Sequence, residues 1–124
     1  RQTLAGHSLG GYYVLHALAT QPQAFQRYVA ISPAVWWDDS RIVKDLAALK
    51  PGKARVMLAM ATQEWPGWPD GSSEMLDGAR SVRNALTRVG VTGDALRYVE
   101  LSGQDHMTTP FATMPAVTRW SSLP

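Results

Sequence analysis

The start of the chain decides the fold, because residues 3–20 read TLAGHSLGGYYVLHALAT. The apolar run that ends at Gly6 predicts a short strand, and residues 9–19, apolar nearly all round, predict a helix buried on most faces. The pattern Gly6-x-Ser8-x-Gly10 between them is typical of a sharp strand-to-helix turn that raises the serine hydroxyl at the carboxyl end of a strand. Glycines are needed beside the serine because a Cβ there would clash with the strand and the helix.

Beyond this turn, strand-like runs alternate with amphipathic segments. Strands are predicted over 28–33, 56–61 and 96–101. Helices are predicted after a cap at 38–40, after a cap at Ser72 or Ser73, and over 114–120. Such alternation predicts an α/β fold in which a parallel sheet carries helices on both faces.

This sheet is small, and the helix of residues 9–19 is too apolar for so little cover. The chain also opens, without Met, on the approach to a buried strand. We therefore expect residues 1–124 to be the C-terminal part of a single α/β domain, with the N-terminal strands missing from this chain. The first strand is expected to be central in the complete sheet, with a neighbour supplied by the N-terminal half of the domain, as missing residues or as another chain.

Composition excludes several classes of protein. The charged share of 18% is low against the usual ~25% and the hydrophobic share is 45%, which argues against disorder. No apolar run approaches the ~20 residues of a membrane span. The absence of Cys excludes disulfides, thiolate metal sites and a cysteine nucleophile. The net charge is only +2 and the basic residues are scattered, so no nucleic-acid surface is predicted.

The turn makes Ser8 a candidate nucleophile, with the N–H of Leu9 facing any negative charge that develops on a bound carbonyl oxygen. A serine hydroxyl needs a base. His7 lies inside the turn, where its side chain is expected to point away from Ser8, and His16 is expected to pack in the core. His106, which follows the last strand at the same edge of the sheet, is therefore the predicted base.

The base needs an acid to orient it. Glu64 follows the strand of residues 56–61 and stands where such an acid belongs. Asp70, deeper in the same loop, competes with it, and a Ser–His pair without an acid stays open. Asp105 would have to fold back on its neighbour and is discounted. The order serine, Glu64, His106 is that of the α/β-hydrolases.

Three stretches resemble the esterase D-type branch of the α/β-hydrolases, and within it the bacterial enterochelin (siderophore) esterases. They are GHSLGG at 6–11, ISPAVWWD at 31–38 and GQDH at 103–106. The resemblance covers the whole chain but only the C-terminal half of the family domain. It implies that Ser8 is the nucleophile, His106 the base and Glu64 the acid, and that a second oxyanion donor comes from a loop in the N-terminal half.

Four tryptophans follow strand exits on this edge, at positions 36, 37, 65 and 68. Trp36 and Trp37 are candidate walls of a pocket for an aromatic acyl group. The alternative is that the tryptophans pack the loops onto the core.

These features predict a serine esterase that hydrolyses carboxylic esters through an acyl-enzyme, with a small-molecule ester as substrate. Siderophore-type or other aromatic acyl esters fit the tryptophans. No metal or organic cofactor is implied. Two alternatives stay open: an acyltransferase, in which another alcohol replaces water, and a non-catalytic binding domain on the same fold.

Overall fold

A computed structural model describes residues 1–124 as strands and helices in strict alternation. The strands are β1 (Thr3–His7), β2 (Arg27–Ile31), β3 (Arg55–Ala61) and β4 (Leu96–Leu101). The helices are α1 (Leu9–Thr20), α2 (Trp37–Ala47), α3 (Pro69–Arg88) and α4 (Thr109–Ser122), with a short 3-10 turn at Gly93–Ala95 before β4.

The four strands form one parallel sheet in the order β1-β2-β3-β4. One row across it runs Ala5, Val29, Met57 and Arg97. Because all strands run the same way, their carboxyl ends share one edge, and the loops that follow them meet there. The predicted α/β class is confirmed. Within this chain β1 and β4 are the edge strands, so β1 pairs with β2 alone.

Helices cover both faces of the sheet, as predicted, but unequally. Alternate residues of β2 point to opposite sides. Tyr28 and Ala30 join a core of 19 buried residues under α1, α2 and α3. Val29 and Ile31 join a cluster of 5 buried residues completed by α4. The face covered by α1, α2 and α3 therefore holds most of the buried apolar side chains.

Helix α1 is less buried than its composition predicts. Val14, Leu15 and Leu18 are buried, but Tyr13 is 61% exposed and His16 is exposed. The prediction that His16 packs in the core is wrong, because α1 packs on β1, β2 and α2 and its remaining side faces solvent. None of the helices combines the length and apolar character that a bilayer span requires.

Three helix starts differ from the sequence prediction. Helix α3 begins at Pro69 rather than after Ser72 or Ser73, and α4 begins at Thr109 rather than at residue 114. Both earlier starts place a proline in the first turn, where its missing N–H costs nothing. Helix α2 begins at Trp37, before the predicted cap at residues 38–40. Those three residues adopt positive φ angles of 52 to 57°, and no side chain caps α2.

Candidate active site

The turn between β1 and α1 holds Ser8 at φ 60° and ψ −118°. A positive φ is unfavourable for a residue with a side chain. Two backbone hydrogen bonds hold the turn: the Ser8 N–H donates to the Ile31 carbonyl at 2.9 Å, and the Ala34 N–H donates to the Ser8 carbonyl at 3.1 Å. The chain just after β2 thus fixes the strained serine in place.

Close backbone approaches explain Gly6 and Gly11 but not Gly10, where an added Cβ would meet no atom within 4 Å and the predicted clash is wrong. A Cβ on Gly6 would lie 2.3 Å from the Gly10 carbonyl oxygen, and one on Gly11 would lie 3.0 Å from the Ile31 carbonyl oxygen. The first distance is impossible for any side chain. The predicted reason for glycine at position 6 is therefore confirmed.

At the carboxyl edge of the sheet, His106 lies within hydrogen-bond distance of both Ser8 and Glu64. The His106 Nε2 atom is 2.9 Å from the Ser8 Oγ atom, and the His106 Nδ1 atom is 2.7 Å from the Glu64 Oε2 atom. His106 is 6% exposed and Glu64 is 0% exposed. The structure therefore brings together three side chains that are far apart along the chain.

The other oxygen of Glu64 is held by two donors. The Ser32 hydroxyl donates to Oε1 at 2.7 Å and the Ala61 N–H donates to the same atom at 2.8 Å. Ser32 is fully buried and has a positive φ of 44°. The sequence analysis assigned Ser32 no role, although its place directly after β2 put it at this edge.

The imidazole of His106 packs against two other rings. Trp65 stacks on it with ring centroids 4.4 Å apart, and His7 lies at 4.6 Å with its ring tilted by 39°. Ser72 fixes the Trp65 loop, since its hydroxyl oxygen accepts from the Trp65 N–H at 2.7 Å and its O–H donates to the Trp65 carbonyl at 3.0 Å. Two neighbouring rings thus restrict the movement of the base candidate.

His7 makes a contact that the sequence analysis did not predict. Its ring forms no hydrogen bond with Ser8, but its Nε2 atom lies 2.7 Å from the His106 carbonyl oxygen. Burial lowers the pKa of His7, while the hydrogen bond to His106 acts in the opposite direction. The pattern G-x-S-x-G gives the intervening residue no role, so the motif alone could not indicate this contact.

Neither of the two other acids forms a hydrogen bond with the imidazole ring. Asp70 is exposed in the first turn of α3 and forms no hydrogen bond with His106. Asp105 accepts from the N–H groups of Met107 and Thr108 at 2.8 and 3.0 Å, and these bonds hold its pKa below the usual value. Asp105 therefore stabilises the turn that carries His106.

Leu9 is the first residue of α1, so its N–H belongs to the turn whose donors have no partner within the helix. This N–H follows Ser8 directly in the chain. A negative charge that develops beside the Ser8 hydroxyl would meet both the amide and the positive end of the helix dipole.

Three of the four tryptophans considered in the sequence analysis line a cleft of ≈ 290 Å³. Its lining comprises Trp36, Trp65, Trp68, Gly71, Glu74 and Met75. Trp37 lies outside that lining and packs on Trp36 with ring centroids 5.7 Å apart. Both Trp36 and Trp37 are 48% exposed. Trp65 lines the cleft and also stacks on His106, whereas neither Ser8 nor His106 belongs to the lining.

The chain matches the family described as "Putative esterase" over residues 1–113. It belongs to this esterase family. The resemblance to siderophore esterases seen in the sequence is confirmed by its relatives. It is similar to the ferri-bacillibactin esterase BesA of Bacillus subtilis, with 34% identity over 112 residues, covering 87% of this chain and 38% of the relative. It is also similar to the siderophore triacetylfusarinine C esterase of Aspergillus fumigatus, with 31% identity over 102 residues, covering 77% of this chain and 35% of the relative.

Among solved structures, this family member is similar to the BES protein of Bacillus cereus. The TM-score is 0.78 at 28% identity, and the match covers 99% of this chain and 46% of that one. The chain thus spans less than half the length of each of these three proteins.

Proposed function

We propose that this chain carries the nucleophile, base and acid of a serine esterase that hydrolyses carboxylic esters. The observation that carries the proposal is the unbroken row of hydrogen bonds from Ser8 through His106 to Glu64. A serine on a strained turn, a histidine within reach and an acid behind it are the parts that acyl transfer needs. The names of the relatives support an ester as the substrate class.

In the proposed reaction the Ser8 oxygen attacks the ester carbonyl carbon while His106 Nε2 accepts the hydroxyl proton. The Leu9 N–H binds the oxyanion that forms. Glu64 stabilises the imidazolium through Nδ1. His106 then gives its proton to the leaving alcohol as the ester C–O bond breaks, which leaves the acyl group on Ser8. Water, activated by His106, releases the carboxylic acid and restores the serine.

We propose that the substrate is an ester with an aromatic acyl group or a siderophore-type ester. Two relatives are named for siderophores. The cleft has walls of Trp36, Trp65 and Trp68, which suit a flat ring. Trp37, which packs on Trp36, is proposed as an outer contact for the same substrate.

We further propose that the active domain includes an N-terminal half. The unpaired edge of β1 supports this, because an edge strand presents free N–H and C=O groups to a further strand. The greater length of the relatives also supports it. That half would provide the neighbour of β1 and the second oxyanion donor. Since losing one oxyanion donor typically costs ~10²–10³ in rate, residues 1–124 alone should be nearly inactive.

Covalent labelling with a fluorophosphonate probe tests the proposal on the full-length protein. We expect one equivalent of probe on Ser8 and complete loss of labelling and ester hydrolysis in Ser8→Ala. Ser81→Ala, at an exposed serine of α3, is the control and should label normally. A folded wild-type protein that takes up no probe and hydrolyses no ester would instead be a binding domain, and the proposal would fail.

A further inference from the structure

His7 and Ser8 are consecutive residues, yet both contact His106. The Ser8 hydroxyl lies against the imidazole Nε2, while the His7 Nε2 lies 2.7 Å from the backbone oxygen of His106. A carbonyl oxygen can only accept, so the His7 Nε2 carries the proton in this contact. One turn of chain thus contacts the side chain and the main chain of the same residue.

The backbone of His106 is held on its other side by Glu64. The His106 N–H donates to the Glu64 carbonyl at 2.9 Å, and the Glu64 carboxylate meets the ring at Nδ1. His106 is therefore fixed by four hydrogen bonds, two to its main chain and two to its ring. Residues 7 and 8 make one of each kind, and Glu64 makes the other two.

This arrangement matters because the two residues follow the outermost strands on opposite sides of the sheet. His106 lies between β4 and α4, whereas Ser8 lies between β1 and α1. The side-chain bond between Ser8 and His106 has to break and reform as the serine is acylated and released. The bond from His7 involves neither the reacting oxygen nor the transferred proton, so the proposed reaction does not require it to break.

The His7 ring is also suited to this place by its charge. It lies 4.6 Å from the His106 ring, and a second positive charge there would oppose the imidazolium of the proposed reaction. Burial lowers the pKa of His7, which favours the neutral ring. The charged and titratable groups that act on it are His106 and Glu64.

We propose that His7 is a positioning residue, whose Nε2–H bond to the His106 carbonyl holds the base within reach of Ser8. This inference rests on the proposed esterase function. It predicts that kcat for ester hydrolysis depends on the N–H donor of the residue at position 7 rather than on its aromatic ring.

Kinetics of His7→Phe and His7→Gln in the full-length protein test this prediction. Phenylalanine keeps a ring without a donor, whereas the glutamine amide places a donor near the Nε2 position. Since a displacement of ~1 Å can cost ~10²-fold, we expect kcat for a nitrophenyl ester to fall ~10–10²-fold in His7→Phe, with KM unchanged. His7→Gln should recover most of this loss. His16→Phe, at the exposed histidine of α1, is the matched control and should keep the wild-type kcat.

The outcomes separate this inference from the function on which it depends. If the wild-type protein takes no fluorophosphonate, the esterase proposal fails first. If the wild type is labelled and His7→Phe keeps its kcat, the positioning role is wrong. An equal loss in His7→Phe and His7→Gln would show that ring packing matters instead of the donor. A rise in KM alone would show a substrate contact.

Discussion

The two ends of the hydrogen-bonded row differ in how they are held. At the acid end, Glu64 is fully buried, and both of its carboxylate oxygens have partners. At the nucleophile end, Ser8 follows the edge strand β1 in a turn at positive φ, and its hydroxyl has His106 as its single side-chain partner. One end is enclosed within this chain, and the other opens on a free edge of the sheet.

This difference follows from what each end has to do in the proposed reaction. The acid keeps its place through the whole cycle, so fixed donors in a buried site are an advantage, because no reorganisation is needed when charge develops on the histidine. The serine has to receive an acyl group, which water then removes, so the space around its hydroxyl has to admit both the substrate and water. Strain at Ser8 is tolerated because the bonds to Ile31 and Ala34 hold the turn.

The largest effect should come from changing the acid end. In Glu64→Gln the shape is kept, but the amide offers N–H where the His106 Nδ1–H needs an acceptor. A comparable acid-to-amide change in a serine protease triad costs ~10⁴ in kcat through the wrong tautomer, and we expect a loss of ~10³–10⁴ here. Steady-state ester hydrolysis measures it. A loss of less than about tenfold would mean that the protein works with a Ser–His pair.

A smaller effect is expected one step further from the reaction, at Ser32. Removing its hydroxyl leaves Glu64 Oε1 with the Ala61 N–H alone. A hydrogen bond to a charged group contributes ~1.5–3 kcal/mol, and about 1.4 kcal/mol in the barrier is tenfold in rate. We therefore expect kcat to fall roughly tenfold in Ser32→Ala.

Ser32→Gly provides the matched control for that variant. Glycine also lacks the hydroxyl but relieves the positive φ of 44° at this position. Both variants should lose the same activity, and Ser32→Gly should have the higher Tm of the two. If the glycine variant kept full activity while the alanine variant lost it, backbone strain rather than the hydroxyl would explain the effect.

Sequence reasoning selected residues that a local pattern or a place after a strand marks, and it gave no role to residues that are recognised only by their contacts. Ser8 is marked by its own glycines, and Glu64 and His106 by their places after parallel strands. Ser32 and His7 act through contacts with residues 32 and 99 positions away. No spacing along the chain encodes such contacts.

The same reasoning explains the outcome for the secondary structure. Strand β4 was predicted at its observed bounds, because the alternation of apolar and polar residues over 96–101 is a local signal. The starts of α3 and α4 were predicted too late, since serine caps and internal prolines compete as signals. The exposure of α1 depends on which strands lie beside it, and that is a property of the whole sheet.

The smallest effect is expected at Asp70, which competes with Glu64 in the sequence but not in the structure. Asp70 is exposed in the first turn of α3, and the acceptor at His106 Nδ1 is already Glu64. Asp70→Asn should therefore leave kcat unchanged, and at most lower Tm slightly, because an acid near a helix N-terminus stabilises by ~0.3–1 kcal/mol. Asp70→Asn and Glu64→Gln each replace one carboxylate by its amide, so the pair compares the same change in charge at two nearby positions of the chain. A loss in Asp70→Asn as large as that in Glu64→Gln would mean that the working protein repositions this loop, and the enclosed acid end described above would not be the one that functions.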